Sequence, residues 1–528
     1  MATVEIPNAA SDERMEVAFG PGQRVWQMVV AERVTIGVSL VALAARLWGI
    51  GFGLPYAVHP DEPVVNGTVV SMLQRHAFDP ATYIYPSLLY YVLAAIALLY
   101  QGVTGTTIGM PPDQTGLGLY PNPDAVLWMR IGVALLCVVA VTAVYRVGRT
   151  LVGPWAALGG ALLLAFSPLH IIQSQIATTD GVSATGMVLV AATSVWAVRS
   201  ARREAFWAAG VALGVAAGIK YQVAIGGVML LAAYGIVLLR RRRAGETLSA
   251  RTVLRDPRLL AFALAPLAFL ITTPYAVLNW PAFLNDVDSV FLHYGVEGHL
   301  GVAGSSLVFT LQEMFAHNET LLSVLAVVGL LHALLRRRTE MLIVAMGALA
   351  YFILVASPKV HFERNLVPLW PLLALLAAEG ILWVGGLLAA FAARPLPFAL
   401  TRPLARPAVR GTLLGLLLLA AFLPTLGRTI QQNTIRSEPD VQATASTWIN
   451  AHVPAGAKIA YESYSVTLDP RRFQLIYLRG GLYTEPLSWY SDQGIQYVVA
   501  SQMFYYRFYT NGPTDFPAER GAYAAMFD

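Results

Sequence analysis

Eleven apolar runs, each close to the roughly 20 residues a helix needs to cross a bilayer, organise this sequence. They lie near 33–54, 126–146, 154–174, 181–199, 204–219, 221–239, 259–279, 318–335, 340–357, 366–388 and 411–427. Only 13% of the residues are charged and 56% are hydrophobic, against about 25% and 45–50% in an ordinary soluble domain. The pattern excludes a soluble enzyme or a disordered chain and predicts a mostly α, polytopic membrane bundle of about 11–13 transmembrane helices.

Basic residues orient such a bundle, because cytoplasmic loops carry the excess of Lys and Arg. With residues 1–32 read as a cytoplasmic tail and not a signal peptide, the inner connections hold Arg146 and Arg149, then Arg199, Arg202 and Arg203. Further along they hold Arg240 to Arg243, Arg336 to Arg338, and Arg394, Arg402, Arg406 and Arg410. The outer side holds few: Arg46, Arg75, Arg130, Lys220, Lys359 and Arg364. The net charge of +5 thus reports topology and does not imply nucleic acid as a partner. The stretch 86–104 is apolar too, yet a crossing there would place 105–125, which has no Lys or Arg, inside. It is read as a juxtamembrane or re-entrant helix on the outer side.

Three parts follow: the tail 1–32, a membrane domain 33–427 with outer loops 55–125 and 280–317, and a soluble extracytoplasmic domain 428–528. The last has turn pairs and short β-rich runs such as Ile495–Ala500 and is expected to be a small α/β unit. The chain is placed in a cell's inner or plasma membrane as a multi-pass protein. Its single cysteine, Cys137, lies in an apolar run, so neither an intrachain disulfide nor a cysteine metal site is available.

Ionisable groups near the apolar phase are costly unless paired or functional, which makes the few at outer helix ends the candidates. His59-Pro60-Asp61-Glu62 follows the first run and offers two adjacent carboxylates for general-base work, metal ligation or acceptor positioning. Thr178-Thr179-Asp180 opens another run, where the carboxylate could equally cap the helix. Lys220 sits where the apolar stretch must turn back, since one 35-residue span is too long for a single crossing. Ser357 to Asn365 brings Lys359, His361, Glu363 and Arg364 between two apolar helices. Two of only three lysines stand at outer helix ends, where a cation can meet a phosphate. The loop 280–317 holds Asp286, Asp288, His293, Glu297, His299 and His317, but no histidine pair has the i, i+4 spacing of a helical metal site. It is read as an amphipathic surface helix followed by a loop with hinge glycines.

In this order the pieces resemble the C-type glycosyltransferases, in the branch of protein O-mannosyltransferases and the aminoarabinose transferase. The resemblance covers 35–390 and rests on Leu54-Pro55 with Pro60-Asp61-Glu62, the stretch Tyr85 to Tyr91, and Arg130. It continues through Thr178-Thr179-Asp180, Gly218-Ile219-Lys220-Tyr221, and Arg364 to Pro368 with the helix through Gly380. Residues Asp440 to Glu462 are similar to the extracytoplasmic tail of bacterial members. The resemblance implies transfer of one sugar, with inversion, from a polyprenyl-phosphate donor to a glycan, lipid or protein acceptor at the outer membrane face. Asp61 would be the base and Glu62 its support, while Asp180 and His59 would position the acceptor or a metal. Lys220, Lys359, His361, Arg364, Arg130, Tyr85 and Tyr221 would hold the donor phosphate. Aminoarabinose transferases carry Glu-Lys before the Pro that opens the second apolar stretch, whereas this chain has Ile84-Tyr85 before Pro86. That departure counts against a metal and against an aminoarabinose donor. No cofactor is certain, and a divalent metal stays open. The competing reading is a secondary transporter or flippase for a lipid-linked sugar, whose ionisable groups would lie at mid-membrane on broken helices.

Overall fold

The computed structural model describes residues 21–110, 119–317, 319–392, 407–510 and 515–528. Its first helices are α1 (Pro21–Leu47), α2 (Glu62–Gln74), α3 (Leu88–Thr104), α4 (Pro123–Val152), α5 (Pro154–Ala165), α6 (Pro168–Ser174), α7 (Thr179–Ser200), α8 (Arg203–Ala217) and α9 (Gly227–Arg243). Then follow α10 (Ala250–Leu254), α11 (Leu260–Thr272), α12 (Tyr275–Leu278), α13 (Trp280–Leu292), α14 (Ser306–Gln312), α15 (Thr320–Leu335), α16 (Thr339–Ala356), α17 (Trp370–Ala392), α18 (Pro407–Ser437) and α19 (Val441–His452). A helix stands at every predicted run. Among the described residues, however, only five are long and apolar enough to cross a membrane, or seven if the bent pairs 154–174 and 306–335 each count once. Some runs are interrupted: Pro168 and Pro274 follow helix ends inside apolar runs, because the residue before a proline disfavours the α conformation, and the run 204–219 forms a helix of only 15 residues.

The first half of α17, from Trp370 to Ala378, is buried on every side, as expected of a helix at the centre of a bundle. Small residues let it pack closely. A Cβ added to Gly329 of α15 would lie 1.8 Å from the Leu376 carbonyl oxygen, so the two backbones touch in the manner of small-residue membrane contacts.

Arginines from consecutive connections gather at one end. Arg199 donates to Thr150 O at 3.3 Å, Arg240 to Val198 O at 2.6 Å, Arg258 to Ala201 O at 2.8 Å and Arg338 to Leu151 O at 2.5 Å. These bonds join four of the connections that the charge pattern grouped together; Arg394, Arg402 and Arg406 lie outside the described residues. Asp61, Asp180, Lys220 and Arg364 lie at the other end. The start of α3 meets the C-terminal ends of α8 and α11, with Leu88 N donating to Gly218 O at 3.2 Å and Ser87 N to the Thr273 hydroxyl at 3.4 Å. Its far end returns beside the start of α4, where Gly109 N donates to Asn122 Oδ1 at 2.7 Å. Both ends of α3 therefore sit at the end opposite the arginines.

The tail builds a three-stranded parallel sheet, order β2-β1-β3, from β1 (Lys458–Glu462), β2 (Gln474–Leu478) and β3 (Tyr497–Val499). Ile459 and Ala460 are both fully buried, so β1 is covered on both faces, as parallel strands are. One layer is α19, with Ile449 and Val453; the other is an aromatic cluster of Tyr490, Phe504, Phe508 and Tyr523. Glu462 closes the unit by accepting from Leu482 N at 3.0 Å, Ser501 N at 2.7 Å and the Tyr523 hydroxyl. The tail touches the membrane domain where Arg507 Nη1 donates to Leu300 O at 3.4 Å.

In sealed vesicles, single cysteines replacing Phe78 and Thr106 should react with an impermeant maleimide from the same side, and one replacing Arg242 from the opposite side. Labelling of the Phe78 and Thr106 positions from opposite sides would show that α3 crosses.

Candidate active site

The turn between α1 and α2 is tight. At Gly53, φ is +70° and an added Cβ would lie 2.3 Å from Val58 Cγ2, so only glycine fits. The turn delivers Asp61 and Glu62 to different environments. Glu62 is fully buried: Arg130 Nε and Nη2 donate to its two carboxylate oxygens at 2.8 and 2.7 Å, and Ala177 N adds a third bond at 2.8 Å. Burial alone would raise the Glu62 pKa, but the charge and hydrogen bonds of Arg130 outweigh it and hold the group below the usual carboxylate range. Arg130 also donates to Ile50 O at 2.9 Å and Phe52 O at 2.8 Å. The pair thereby fastens the turn, α4 and the segment before α7 together.

Asp61 occupies the N-cap position of α2 yet makes no side-chain capping bond. Its carboxylate turns instead to Arg364, 2.6 Å away, and the two side chains keep 22% and 23% of their surface exposed. Arg364 stands in a 3-10 turn, Glu363–Leu369, leading into α17, and feels the charge of Asp180 as well as that of Asp61. Asp180, in the first turn of α7, is 2.5 Å from Lys220 Nζ, both nearly buried. Thr178, not Asp180, occupies the N-cap position, so the simple capping role for Asp180 gives way to an ion pair. His59 accepts a 3.2 Å bond from Asp61 N on Nδ1; burial lowers its pKa against the pull of Asp61 and Glu62, leaving it neutral near pH 7. The Tyr85 hydroxyl is held protonated by burial and by the nearby Asp61 and Asp180.

The structure therefore joins His59, Asp61, Tyr85, Asp180, Lys220 and Arg364 into one cluster. Glu62 and Arg130 form the sealed support behind it. Three other candidates face elsewhere. Lys359 Nζ is spent on the carbonyls of Val296 (3.1 Å) and Glu297 (3.5 Å), His361 Nδ1 lies 3.0 Å from Ser306 Oγ, and the Tyr221 hydroxyl donates to Tyr83 O at 2.8 Å. Sequence position alone could not separate these from Arg364, because all follow helix ends and only packing decides where each points. Phe362 was missed: its ring lies 4.6 Å from Arg364 Cζ and 5.1 Å from the His299 ring. A cation–π contact of that kind steadies a guanidinium, and an aromatic two residues before an arginine is too common to flag. Among the described residues, no three His, Cys, Asp or Glu side chains are grouped to hold a metal ion; the carboxylates of Asp61 and Asp180 meet cations instead.

The family model of dolichyl-phosphate-mannose-protein mannosyltransferases matches residues 37–286. The fold is that of the C-type glycosyltransferases. It is similar to the crystal structure of ArnT from Cupriavidus metallidurans bound to undecaprenyl phosphate, at 18% identity and a TM-score of 0.52 over 84% of this chain and 85% of that one. It is similar also to the apo oligosaccharyltransferase of Archaeoglobus fulgidus, at 15% identity and a TM-score of 0.56 over 93% of this chain and 72% of that one. No curated protein matches the sequence. The resemblance read over 35–390 thus meets a family match over its first part and a fold match over most of the chain.

Removing one partner of a buried pair leaves a bare charge and costs about 3–5 kcal/mol. Glu62→Gln or Arg130→Met should lower the melting temperature in detergent sharply, whereas Asp61→Asn, at a partly exposed pair, should change it little. For His59 the folded pKa is depressed, so its stabilisation is complete above the ordinary value of 6.5 and is lost as pH falls toward the depressed one. His59→Asn keeps an acceptor without a titrating ring; its melting temperature should fall less than that of wild type between pH 7 and pH 5.

Proposed function

We propose that this chain transfers a single sugar from a polyprenyl-phosphate donor to the hydroxyl of a glycan, lipid or protein acceptor at the extracytoplasmic membrane face. The observation that carries the reading is the division between the two pairs that hold Asp61 and Glu62: the second is sealed, while Asp61–Arg364 remains open at the end of the bundle away from the arginine connections. ArnT from C. metallidurans is bound to undecaprenyl phosphate and the archaeal AglB to an inhibitory peptide and a dolichol-phosphate, which agrees with a lipid-phosphate donor.

Asp61 is the general base. The acceptor O–H gives its proton to the Asp61 carboxylate as the oxygen forms a bond to the anomeric carbon, on the face opposite the phosphate. The bond from that carbon to the phosphate oxygen breaks, its electron pair stays on the phosphate, and the configuration inverts. Arg364 turns from Asp61 toward the departing phosphate and stabilises the charge it gains, an electrostatic contribution aimed at the leaving group. Lys220 keeps Asp180 charged beside the sugar, and His59 fixes the Asp61 backbone through the N–H it accepts. The long apolar chain of the donor lies along the lipid-facing helices. The arginine-rich end is cytoplasmic, the tail domain is outside, and α3 rests on the outer side without crossing.

Membranes supplied with radiolabelled polyprenyl-phosphate sugars and mixed acceptors should show transfer by the wild type. Transfer should fall about 10²–10⁴-fold in Asp61→Asn, the usual scale for losing a general base. Equal transfer by both would remove Asp61 as the base.

A further inference from the structure

Phe52, in the turn leading to Asp61, carries two cations. Arg130 Cζ is 4.3 Å and Arg436 Cζ 4.1 Å from its ring centre. Arg130 is neutralised by Glu62. Arg436, in the last turn of α18, donates Nη1 to Gln175 Oε1 at 3.0 Å and has no carboxylate within ion-pair distance among the described residues. Its Nε and Nη2 find no acceptor among those residues, and the side chain is half-buried.

The position is that of a lipid headgroup. On α18, Leu419, Leu423 and Ile430 are exposed apolar side chains, the surface a membrane helix turns to lipid. Trp48, 42% exposed, sits beside the site and its carbonyl accepts from Gln175 Nε2 at 2.8 Å; tryptophan concentrates at the membrane–water boundary. A basic side chain near a helix end ordinarily swings its head freely into water. This one is fixed. Thr429 Oγ1 and Asn433 Nδ2 bind α18 to Phe166 O at 2.6 Å and Ala45 O at 2.8 Å, while Phe52 and Gln175 hold the guanidinium itself.

We propose that Arg436, with Gln175 and Trp48, forms a second lipid-phosphate site, separate from the Asp61–Arg364 cluster. The unused edge of the guanidinium presents parallel N–H donors at the spacing of two phosphate oxygens. A bound phosphate supplies the counter-charge that Arg436 lacks. Because Phe52 is shared with Arg130, an occupied site also steadies the turn that carries Asp61. The inference rests on the bundle lying in a membrane and not on Asp61 being a base. The ligand chemistry is a phosphate ester on a lipid, supplied either by a phospholipid or by a polyprenyl phosphate.

The test uses the full chain in an uncharged detergent, with native mass spectrometry and thermal unfolding after addition of phosphatidylglycerol, undecaprenyl phosphate or diacylglycerol. Wild type and R364Q should both retain a phosphatidylglycerol adduct and melt higher with it. R436Q should bind it about tenfold more weakly, R436K should fall between, and diacylglycerol should give no adduct. Dependence on Arg436 for undecaprenyl phosphate alone would support the site and assign it to the polyprenyl lipid. Phosphatidylglycerol and undecaprenyl phosphate adducts that are unchanged in both R436Q and R436K would overturn the inference, as would equal retention of diacylglycerol.

Discussion

The buried Glu62–Arg130 pair is the constraint on which the site end of the molecule depends. A carboxylate and a guanidinium with no exposed surface are costly to desolvate, and their attraction repays that cost only with good geometry and satisfied remaining bonds. Both conditions are met here. Glu62 takes two bonds from Arg130 and one from Ala177 N, while Arg130 spends its other donors on Ile50 and Phe52 carbonyls. Three separate stretches of chain are thereby fixed to one point. Asp61, one residue earlier, is held at the surface of that point and faces Arg364.

Helix breaks supply the rest of the site. The turn between α8 and α9 places Lys220 against Asp180, and the 3-10 turn before α17 places Arg364 against Asp61. An unbroken bundle would have carried these side chains at scattered depths. Lys359 belongs to the same design in a different role. Its ammonium caps carbonyls of the loop after α13, and Lys359 N and Val360 N both donate to Tyr294 O. Phe362 then contacts the His299 ring of that loop on the way to Arg364. The loop, the segment 357–364 and the tail's Arg507 so form one connected layer over the cluster.

Much of this was legible in the sequence, for a physical reason: apolar run length and arginine placement are one-dimensional signals. The helix positions and the small tail sheet follow from them. Side-chain direction is not one-dimensional. Asp61 and Glu62 are neighbours that read alike, and only the approach of Arg130 from α4 and Ala177 from the α6–α7 segment separates them. Arg130 read as a phosphate ligand because its partner lies 68 residues away. His361, Tyr221 and Lys359 likewise share helix ends with Arg364 and Lys220 but are claimed by Ser306, Tyr83 and the loop carbonyls.

The central claim is that Asp61–Arg364 is the reactive pair and Glu62–Arg130 its fixed support. A structure of the full chain with undecaprenyl phosphate tests it most directly. The account predicts the phosphate within hydrogen-bonding distance of Arg364, Asp61 released from that ion pair, and both Glu62–Arg130 bonds intact. A phosphate seated on Arg130, with Glu62 displaced and Asp61 still paired to Arg364, would contradict it.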